Sequence, residues 1–340
     1  MHLFPTVVIS YNGAIMINDN EKENKNEKLR VLVLGGLGFI GSHLCRLLVR
    51  EGYTVRIFDK LYCSRNLIAD IKDRIEIEEG DAERPEDVLK VLSDADVAID
   101  LIHTTVPGTS MRDPAYDIQT NVTAHAGWLS LLYKTRLKRI IYISSGGTVY
   151  GIPQKRPIGE DHPTDPISSY GITKLTIEKY IAMYANMWGI DYRICRPSNI
   201  YGEGQHLNVG QGVIGVFLEQ CIKNKPIEIW GDGTVSRDYI DVGDTARAIV
   251  QLISHQGQGK VFNISSGLGY SLNDIVTIIR NDLQIPIKVN YVESRKFDVP
   301  VNILDNSRLM QETGWKPQVD LVFGIRRVYN HLKLLLFNQQ

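Results

Sequence analysis

Short apolar runs rich in β-branched residues alternate along this chain with longer stretches whose apolar residues recur every three or four positions. The run RVLVL at 30–34 predicts a buried strand, and the spacing of Leu44, Leu47 and Leu48 after it predicts a helix. Because strands and helices alternate, we predict an α/β fold with a doubly wound parallel sheet. Further strands are predicted at 53–58, 75–79, 97–102 and 138–143, and helices at 85–92, 114–135 and 168–188.

The pattern is less regular after residue 198. Residues 30–198 are expected to form one domain, and 199–336 most of a smaller, discontinuous C-terminal domain. Helices are predicted at 213–222, 241–254, 271–282 and 321–336, and strands at 227–230 and 260–265. We expect the strand at 260–265 to return to the main sheet.

The N-terminal segment has a different composition. Residues 18–29 (NDNEKENKNEKL) are almost wholly polar or charged, which is typical of a solvated segment. The weakly apolar stretch 3–17 lacks the basic start of a signal peptide. We therefore expect a flexible extension over 1–29 and ordered structure from about Arg30, with Met16 as an alternative start that an intact-mass measurement would identify.

Charge and composition exclude several function classes. Lys and Arg number 38 against 39 Asp and Glu, so the net charge of −1 gives no general attraction to nucleic acid or to an anionic membrane. No apolar run reaches the roughly 18 residues of a membrane span. Reduced thiols in a cytoplasmic protein, and no metal site, are expected because no CxxC pair occurs among Cys45, Cys63, Cys195 and Cys221.

The first predicted strand runs directly into GGLGFIG, with Gly35, Gly38 and Gly41 spaced three apart at the start of a helix. Glycines there let the backbone approach a pyrophosphate, and the helix N-terminus offers unpaired N–H groups. Asp59 ends the second strand, where a carboxylate accepts hydrogen bonds from ribose hydroxyls and repels a 2′-phosphate. The succession of strand, glycine motif, helix, strand and acidic residue predicts a Rossmann-type site that prefers NAD to NADP. The basic residues after Asp59 weaken that preference.

Tyr170 and Lys174 stand four residues apart at the start of the predicted helix 168–188, so they share one face. A phenol with an ordinary pKa of ~10 needs about 4 kcal/mol to ionise near neutral pH, and a lysine charge ~4 Å away supplies an attraction of that order. We therefore expect Tyr170 to be a general base whose pKa Lys174 lowers. The alternative, a packed tyrosine beside a solvated lysine, is less favoured downstream of a dinucleotide motif.

Over about residues 30–330 the chain resembles the extended short-chain dehydrogenase/reductase family and, within it, the NAD-dependent epimerase/dehydratase group. It is most similar to the nucleotide-sugar 4-epimerases of the UDP-glucose 4-epimerase type. The resemblance rests on GGLGFIG, Asp59, Gly80-Asp81, Asn121-Val122, SSGGTVYG at 144–151, Tyr170 with Lys174, RPSNIYG at 196–202 and SRDYIDVGD at 236–244.

The resemblance implies roles for the matching residues. Asp81 would lie near the adenine amino group and Asn121 near the nicotinamide half of NAD, with Tyr170 and Lys174 as the catalytic pair. The other implied NAD contacts are Gly35, Gly38, Phe39, Ile40, Gly41, Asp59, Ala82, Leu101, Ser144 and Pro197. Asn199, Arg237 and Arg295 would hold the substrate diphosphate, because guanidinium groups match phosphate oxygens. Surface ion pairs with Asp238 and Asp298 are the alternatives for the two arginines.

Two positions depart from the family pattern. The usual catalytic serine or threonine falls at Gly146, so Ser145, Thr148 or a water molecule must donate the hydrogen bond to the substrate hydroxyl, and we favour Thr148. Where 4-epimerases commonly carry a lysine, this chain has Thr105, which cannot supply the positive charge. His103 is nearby and either supplies that charge or packs as a neutral ring.

The residues present favour one reaction of the group. Its dehydratases carry an Asp-Glu pair where this chain has Gly147 and Thr148. The resemblance therefore implies an NAD-dependent 4-epimerase, an isomerase, that acts on a UDP-hexose or UDP-N-acetylhexosamine through a transient 4-keto intermediate. Its setting would be carbohydrate metabolism, such as polysaccharide biosynthesis. A nucleotide-sugar dehydrogenase or reductase and a catalytically silent NAD-binding regulatory protein are the alternatives.

The resemblance also implies a homodimer, because family members commonly pair through two helices from each subunit. Here these would be the predicted helices 114–135 and 168–188. The apolar residues Ile177, Ile181, Tyr184 and Trp188 are expected either to form that interface or to face the core of the subunit.

Overall fold

The computed structural model of the protein describes residues 29–205, 207, 212–294 and 299–337, so residues 1–28 of the predicted extension lie outside it. The strands, in chain order, are β1 (Arg30–Leu34), β2 (Thr54–Asp59), β3 (Glu76–Glu79), β4 (Val97–Asp100), β5 (Arg139–Ile143), β6 (Asp191–Pro197), β7 (Asn199–Tyr201), β8 (Ile227–Trp230), β9 (Ser236–Asp241), β10 (Val261–Ile264), β11 (Gly269–Ser271), β12 (Val289–Val292) and β13 (Val301–Asn302). The α-helices are α1 (Phe39–Arg50), α2 (Pro85–Leu92), α3 (Pro107–Ser110), α4 (Pro114–Asp117), α5 (Ala124–Leu129), α6 (Ser169–Trp188), α7 (Val213–Ile222), α8 (Val242–Ser254), α9 (Leu272–Thr277), α10 (Ser307–Thr313) and α11 (Leu321–Phe337).

Seven parallel strands form the main sheet in the order β10-β6-β5-β4-β1-β2-β3. Helices α1 and α8 pack on one face, and α2, α5 and α6 on the other. The predicted α/β fold with a Rossmann-type parallel sheet is therefore confirmed. The strand order reverses beside β1, which pairs with β2 on one side and β4 on the other, and such a switch point opens a crevice at the carboxyl ends of the strands.

Helix α6 shows how sequence determines one element that positions the site. The Ser168 side chain caps its start by accepting from the Gly171 N–H at 3.2 Å, and Gly189 ends it with a left-handed φ of 69°. Ile177 and Ile181 are completely buried against the sheet, so of the two places expected for them the subunit core is correct and the dimer interface is not.

The predicted helix 114–135 is interrupted. α4 is followed by a π-helical turn (Ile118–Thr123), then α5 and a short 3₁₀ turn (Leu132–Lys134). The interruption coincides with two buried polar side chains, Asp117 and Asn121, which hydrogen-bond to each other and to neighbouring segments. The apolar periodicity of the sequence does not reveal these bonds. Strand β4 likewise ends at Asp100 rather than 102, because the Ile102 N–H turns to the Asp100 carboxylate.

A smaller layer covers the carboxyl ends of the parallel strands. It contains β7 and β9 with β11 and β13, the β8–β12 pair, and helices α7, α9 and α11 around one apolar cluster. β10 lies outside this layer, at the edge of the main sheet beside β6, where the strand at 260–265 is expected. The division into domains at residues 198 and 199 stays a prediction. Among the described residues, no helix has both the length and the apolar character needed to cross a membrane.

Candidate functional site

A cleft of about 460 Å³ lies between the main sheet and the smaller layer. Its volume falls within the ~300–1,000 Å³ that is usual for small-molecule sites. The predicted site residues that line it are Phe39, Ile40, Leu101, Ser144, Ser145, Thr148, Tyr170, Lys174, Pro197, Asn199 and Arg237. The structure therefore brings together residues from most of the predicted motifs. Arg295 lies outside the described residues.

The glycine turn packs tightly beside this cleft. Gly35 has a φ of +80°, which favours glycine, and a Cβ at Gly41 would lie 2.6 Å from Gly35 O. Gly38 precedes α1 without a side-chain cap, so the first N–H groups of that helix face a turn built only of backbone. This geometry fits the pyrophosphate of a dinucleotide, with Phe39 and Ile40 continuing into the cleft.

Asp59 connects the glycine turn to the end of β2. Its Oδ2 accepts from the Leu37 N–H at 3.0 Å, and its Oδ1 accepts from the Lys60 N–H at 2.9 Å and from Cys63 Sγ at 3.1 Å. Oδ1 thus uses both of its acceptor sites, whereas Oδ2 keeps one that a ribose hydroxyl could occupy. Asp81 and the buried Ala82 follow the neighbouring strand β3, with Asp81 Oδ1 3.4 Å from Lys60 Nζ.

Tyr170 and Lys174 lie on the first turns of α6, with Lys174 Nζ 5.8 Å from the Tyr170 ring centroid. Lys174 is buried and donates to Ile143 O at 2.8 Å. Burial lowers the pKa of Lys174 to about 8, while burial and then the negative charge of Asp117 raise the pKa of Tyr170. Burial therefore opposes the ionisation of Tyr170 that Lys174 is expected to favour, and the lowering of the phenol pKa by Lys174 stays a prediction.

The hydroxyl groups of the SSGGTVYG segment have different environments. Ser144, Ser145 and Thr148 all line the cleft, but the buried Ser144 hydroxyl is already used, because it donates to Glu178. Thr148 Oγ1 is buried and has no hydrogen-bond partner among the described residues. A Cβ at Gly146 would contact Leu304 and lie 2.9 Å from Arg196 O, so this position faces away from the cleft. Ser145 and Thr148 thus remain the two candidate donors.

Asn121 supports the rim of the cleft from below. Its Oδ1 accepts from the Thr104 N–H and its Nδ2 donates to Asp117 Oδ1, each at 3.0 Å. The side chain is completely buried. It holds the loop after β4, and its direct contact with NAD stays a prediction.

The substrate-side residues face the cleft from the smaller layer. Asn199 Nδ2 donates to Asp238 O at 3.1 Å, and Arg237 Nη1 donates to Val299 O at 2.6 Å. The Asp238 carboxylate accepts from Ser198, Ser266 and the Gly267 N–H. Both Asn199 and Arg237 line the cleft, and their role in holding an anionic ligand stays a prediction.

His103 and three aromatic residues line the cleft without a firm role from sequence. The His103 ring meets Tyr170 edge-on, with the ring centroids 4.6 Å apart. Burial and then the charge of Lys174 lower the pKa of His103 to about 3, so the ring stays neutral. Tyr201, Trp230 and Tyr239 also line the cleft. The sequence could have identified these three aromatic residues as cleft residues, because they lie at the end of a predicted strand or within the motifs RPSNIYG and SRDYIDVGD.

Comparison with known proteins identifies the family of this site. Residues 31–265 match the family model "NAD dependent epimerase/dehydratase family". A putative UDP-glucose 4-epimerase of Methanocaldococcus jannaschii is 35% identical over 306 residues, 89% of this chain and 98% of the relative. A dTDP-4-dehydro-6-deoxyglucose reductase of Escherichia coli is 31% identical over 316 residues, 89% of this chain and 97% of the relative.

The crystal structure of a UDP-glucose 4-epimerase from Thermotoga maritima with UDP-glucose superposes with a TM-score of 0.85 at 30% identity, covering 91% of this chain and all of that one. These matches confirm the predicted resemblance, and the family confirms NAD as the cofactor. The chain therefore belongs to the NAD dependent epimerase/dehydratase family and is an NAD-dependent enzyme of that family.

Proposed function

We propose that this enzyme is a nucleotide-sugar 4-epimerase that acts on a UDP-hexose or a UDP-N-acetylhexosamine. The observation that carries the proposal is the convergence of Tyr170, Lys174 and the unpartnered hydroxyl of Thr148 on one cleft, opposite Asn199 and Arg237. The M. jannaschii and T. maritima proteins, by their names, support the same activity. The absence of an Asp-Glu pair beside Thr148 disfavours a dehydratase.

Each residue of the cleft has its own role in the proposed reaction. NAD, when bound, supplies the hydride acceptor and a positively charged ring. Tyr170 takes the proton from the hydroxyl at carbon 4 and later returns it to the same oxygen, after the sugar has turned to present its opposite face, while Lys174 favours the phenolate. Thr148 or Ser145 holds that hydroxyl in line, and Arg237 with Asn199 holds the diphosphate while the 4-keto sugar turns.

A nucleotide-sugar reductase or dehydrogenase is the second candidate, because the E. coli relative is named a reductase. The two candidates differ in whether the cofactor changes its redox state over a complete turnover. An epimerase leaves NAD unchanged, whereas a dehydrogenase accumulates NADH.

The test is to follow the anomeric proton signals by NMR with UDP-glucose and UDP-N-acetylglucosamine in separate samples containing NAD. We expect the galacto epimer to form without net NADH, and the faster substrate identifies the sugar. Tyr170→Phe should reduce turnover by about 10²- to 10⁴-fold. Tyr180→Phe, on the same helix but outside the cleft, should not. NADH accumulation would support the dehydrogenase, and unchanged sugars with NAD bound would reject both UDP-sugars as substrates.

We propose further that the enzyme is a homodimer. Ile172, Met183 and Met187 are exposed on one face of α6, since positions eleven and four apart recur on the same side of a helix. Trp188, also part-exposed, packs against the ring of Tyr133. Sedimentation of Met183→Glu with Met187→Glu should give a monomer if this face pairs, whereas Leu334→Glu, exposed on α11, should not change the mass.

We also propose a cytoplasmic location within carbohydrate metabolism. Cys45, Cys63, Cys195 and Cys221 are all unpaired thiols, which agrees with a reducing compartment. Fractionation of cells that express the tagged enzyme tests this, and recovery in a secreted fraction would contradict it.

A further inference from the structure

Asp117, at the end of α4, is a completely buried carboxylate with no part in the chemistry described above. It accepts four side-chain hydrogen bonds. Thr105 Oγ1 donates at 2.6 Å and Asn121 Nδ2 at 3.0 Å to its Oδ1, while Ser169 Oγ at 2.7 Å and Thr173 Oγ1 at 3.3 Å reach its Oδ2. A buried carboxylate this well satisfied is part of a specific arrangement rather than a solvated surface group.

The donors come from two segments that border the cleft. Thr105 belongs to the loop after β4, next to His103, which lines the cleft. Ser169 and Thr173 lie on either side of Tyr170 in the first two turns of α6. Asp117 therefore joins the loop to the helix turn that carries the proposed base.

His103 fills the space between Asp117 and Tyr170. Its Nε2 is 3.6 Å from Asp117 Oδ1, and its ring packs edge-on against the Tyr170 ring. Within the described part of the chain neither ring nitrogen of His103 has a hydrogen-bond partner. The neutral imidazole thus separates the carboxylate from the phenol without screening its charge.

The charges around Tyr170 oppose one another. Burial by itself would raise the pKa of Asp117, but its contacts with His103, Thr105 and Ser169 hold that pKa at about 2, so the carboxylate stays ionised. Its negative charge opposes ionisation of Tyr170, and Lys174 favours it. The other titratable groups packed around this pair are His103, Tyr142 on β5, Asp100 on β4 and Glu178 on α6.

We propose that Asp117 is a positioning residue for Tyr170: its buried carboxylate fixes the first turn of α6 against the loop after β4 and sets a negative charge opposite that of Lys174. This inference rests on the proposed function only in taking Tyr170 as the base. Tyr170 is thereby held between two opposite charges, which suits a group that must both release and recover a proton.

The test separates the charge from the hydrogen bonds. Asp117→Asn keeps the shape, and its amide can donate to the Ser169 and Thr173 hydroxyls, which rotate to accept. In the NAD-loaded enzyme we expect the tyrosinate absorbance of Tyr170, taken as the difference from the same protein carrying Tyr170→Phe, to titrate about one pH unit lower than in the wild type. The acid limb of the kcat–pH profile should move in the same direction.

Ser169→Ala and Thr105→Val remove the hydrogen bonds but keep the charge. They should lower kcat several-fold without moving either pH midpoint. Asp244→Asn, a buried carboxylate on α8 outside the cleft, is the control for general loss of stability. An unshifted Tyr170 titration in Asp117→Asn would overturn the electrostatic half of the proposal, and unchanged kcat in both hydroxyl variants would overturn the positioning half.

The absorbance titration needs no sugar substrate, so it remains decisive if the enzyme proves not to be an epimerase. If Asp117→Asn does not fold, the proposal is judged on Ser169→Ala and Thr105→Val, whose melting temperatures show whether they are folded.

Discussion

Arg196 and Glu178 form an ion pair inside the protein, with the arginine Nη2 2.6 Å from the glutamate Oε2 and both side chains almost completely buried. Glu178 lies one turn after Lys174 on α6, and Arg196 lies near the end of β6. The Arg196 guanidinium also stacks on the Tyr150 ring, 4.9 Å from its centroid. The pair therefore ties the helix that carries Tyr170 to the sheet behind it.

Removing one partner of this pair should be costly. Glu178→Met leaves the arginine charge buried and unpaired, so the free energy of unfolding should fall by about 3–5 kcal/mol in urea denaturation. Changing Glu178 and Arg196 together to methionine should restore most of that loss. The matched control is Glu219→Met, which breaks the surface pair with Lys223 and should cost less than about 1 kcal/mol. Equal losses at Glu178 and Glu219 would contradict this interpretation.

Restoring the usual family hydroxyl at Gly146 should not help the enzyme. Because a side chain there would meet Leu304 and the Arg196 carbonyl, Gly146→Ser should lower the free energy of unfolding by about 1–3 kcal/mol and leave turnover no higher. Gly147→Ala is the control for stability, since its Cβ would meet nothing closer than Ser145 Oγ at 3.9 Å. A stable Gly146→Ser enzyme with increased turnover would show that the position can face the substrate.

The Thr148 hydroxyl should matter for turnover and not for folding. It has no hydrogen bond to lose within the described chain, so Thr148→Val should leave the free energy of unfolding unchanged or raise it by about 1 kcal/mol. Losing one hydrogen bond to the reacting hydroxyl should lower kcat/KM by about 10- to 100-fold, measured by NMR. Thr148→Ser should retain activity. If Ser145→Ala is the more damaging change, Ser145 is the donor.

His103 should make the protein less stable in mild acid. The folded protein keeps the ring neutral down to about pH 3, whereas in the unfolded chain the imidazole takes up a proton near its ordinary pKa of about 6.5. The unfolded state therefore gains protons as pH falls from 7 to 5, and this group should remove about 2 kcal/mol from the free energy of unfolding.

His103→Phe should flatten that part of the pH dependence in urea unfolding at pH 7, 6 and 5. His331→Phe, on α11 and outside the cleft, controls for the loss of a histidine. If His103→Phe loses as much stability as the wild type between pH 7 and 5, His103 is not the cause of the pH dependence.

Local signals predict much of this fold. The run at 30–34 is observed as β1 and the stretch 213–222 as α7, because each is an uninterrupted apolar pattern of one period. Tyr170 and Lys174 could likewise be placed on one helix face from their spacing, and their position after a dinucleotide motif favours a catalytic pair. The break in the helix predicted at 114–135 could not, since it depends on Asp117 bonding Ser169, which is remote in sequence.

The direction in which a side chain points is the second feature that the sequence does not predict. Ile177 and Ile181 lie on an apolar helix face that would suit either a partner subunit or the sheet, and only the position of the sheet decides between them. Gly146 aligns with a catalytic position, but Leu304, far along the chain, occupies the space its side chain would need. The raised pKa of Tyr170 likewise follows from burial, which spacing along a helix does not reveal.

Strand β10 has a consequence for how the protein is made. The edge of β6 that it covers stays open while the ribosome adds β7, α7, β8, β9 and α8, and at roughly 5–20 residues per second this takes some seconds. During that time the β6 edge is a template for pairing with another nascent chain. A fragment that stops before Val261 would keep this open edge, so we expect it to aggregate more readily than the full chain.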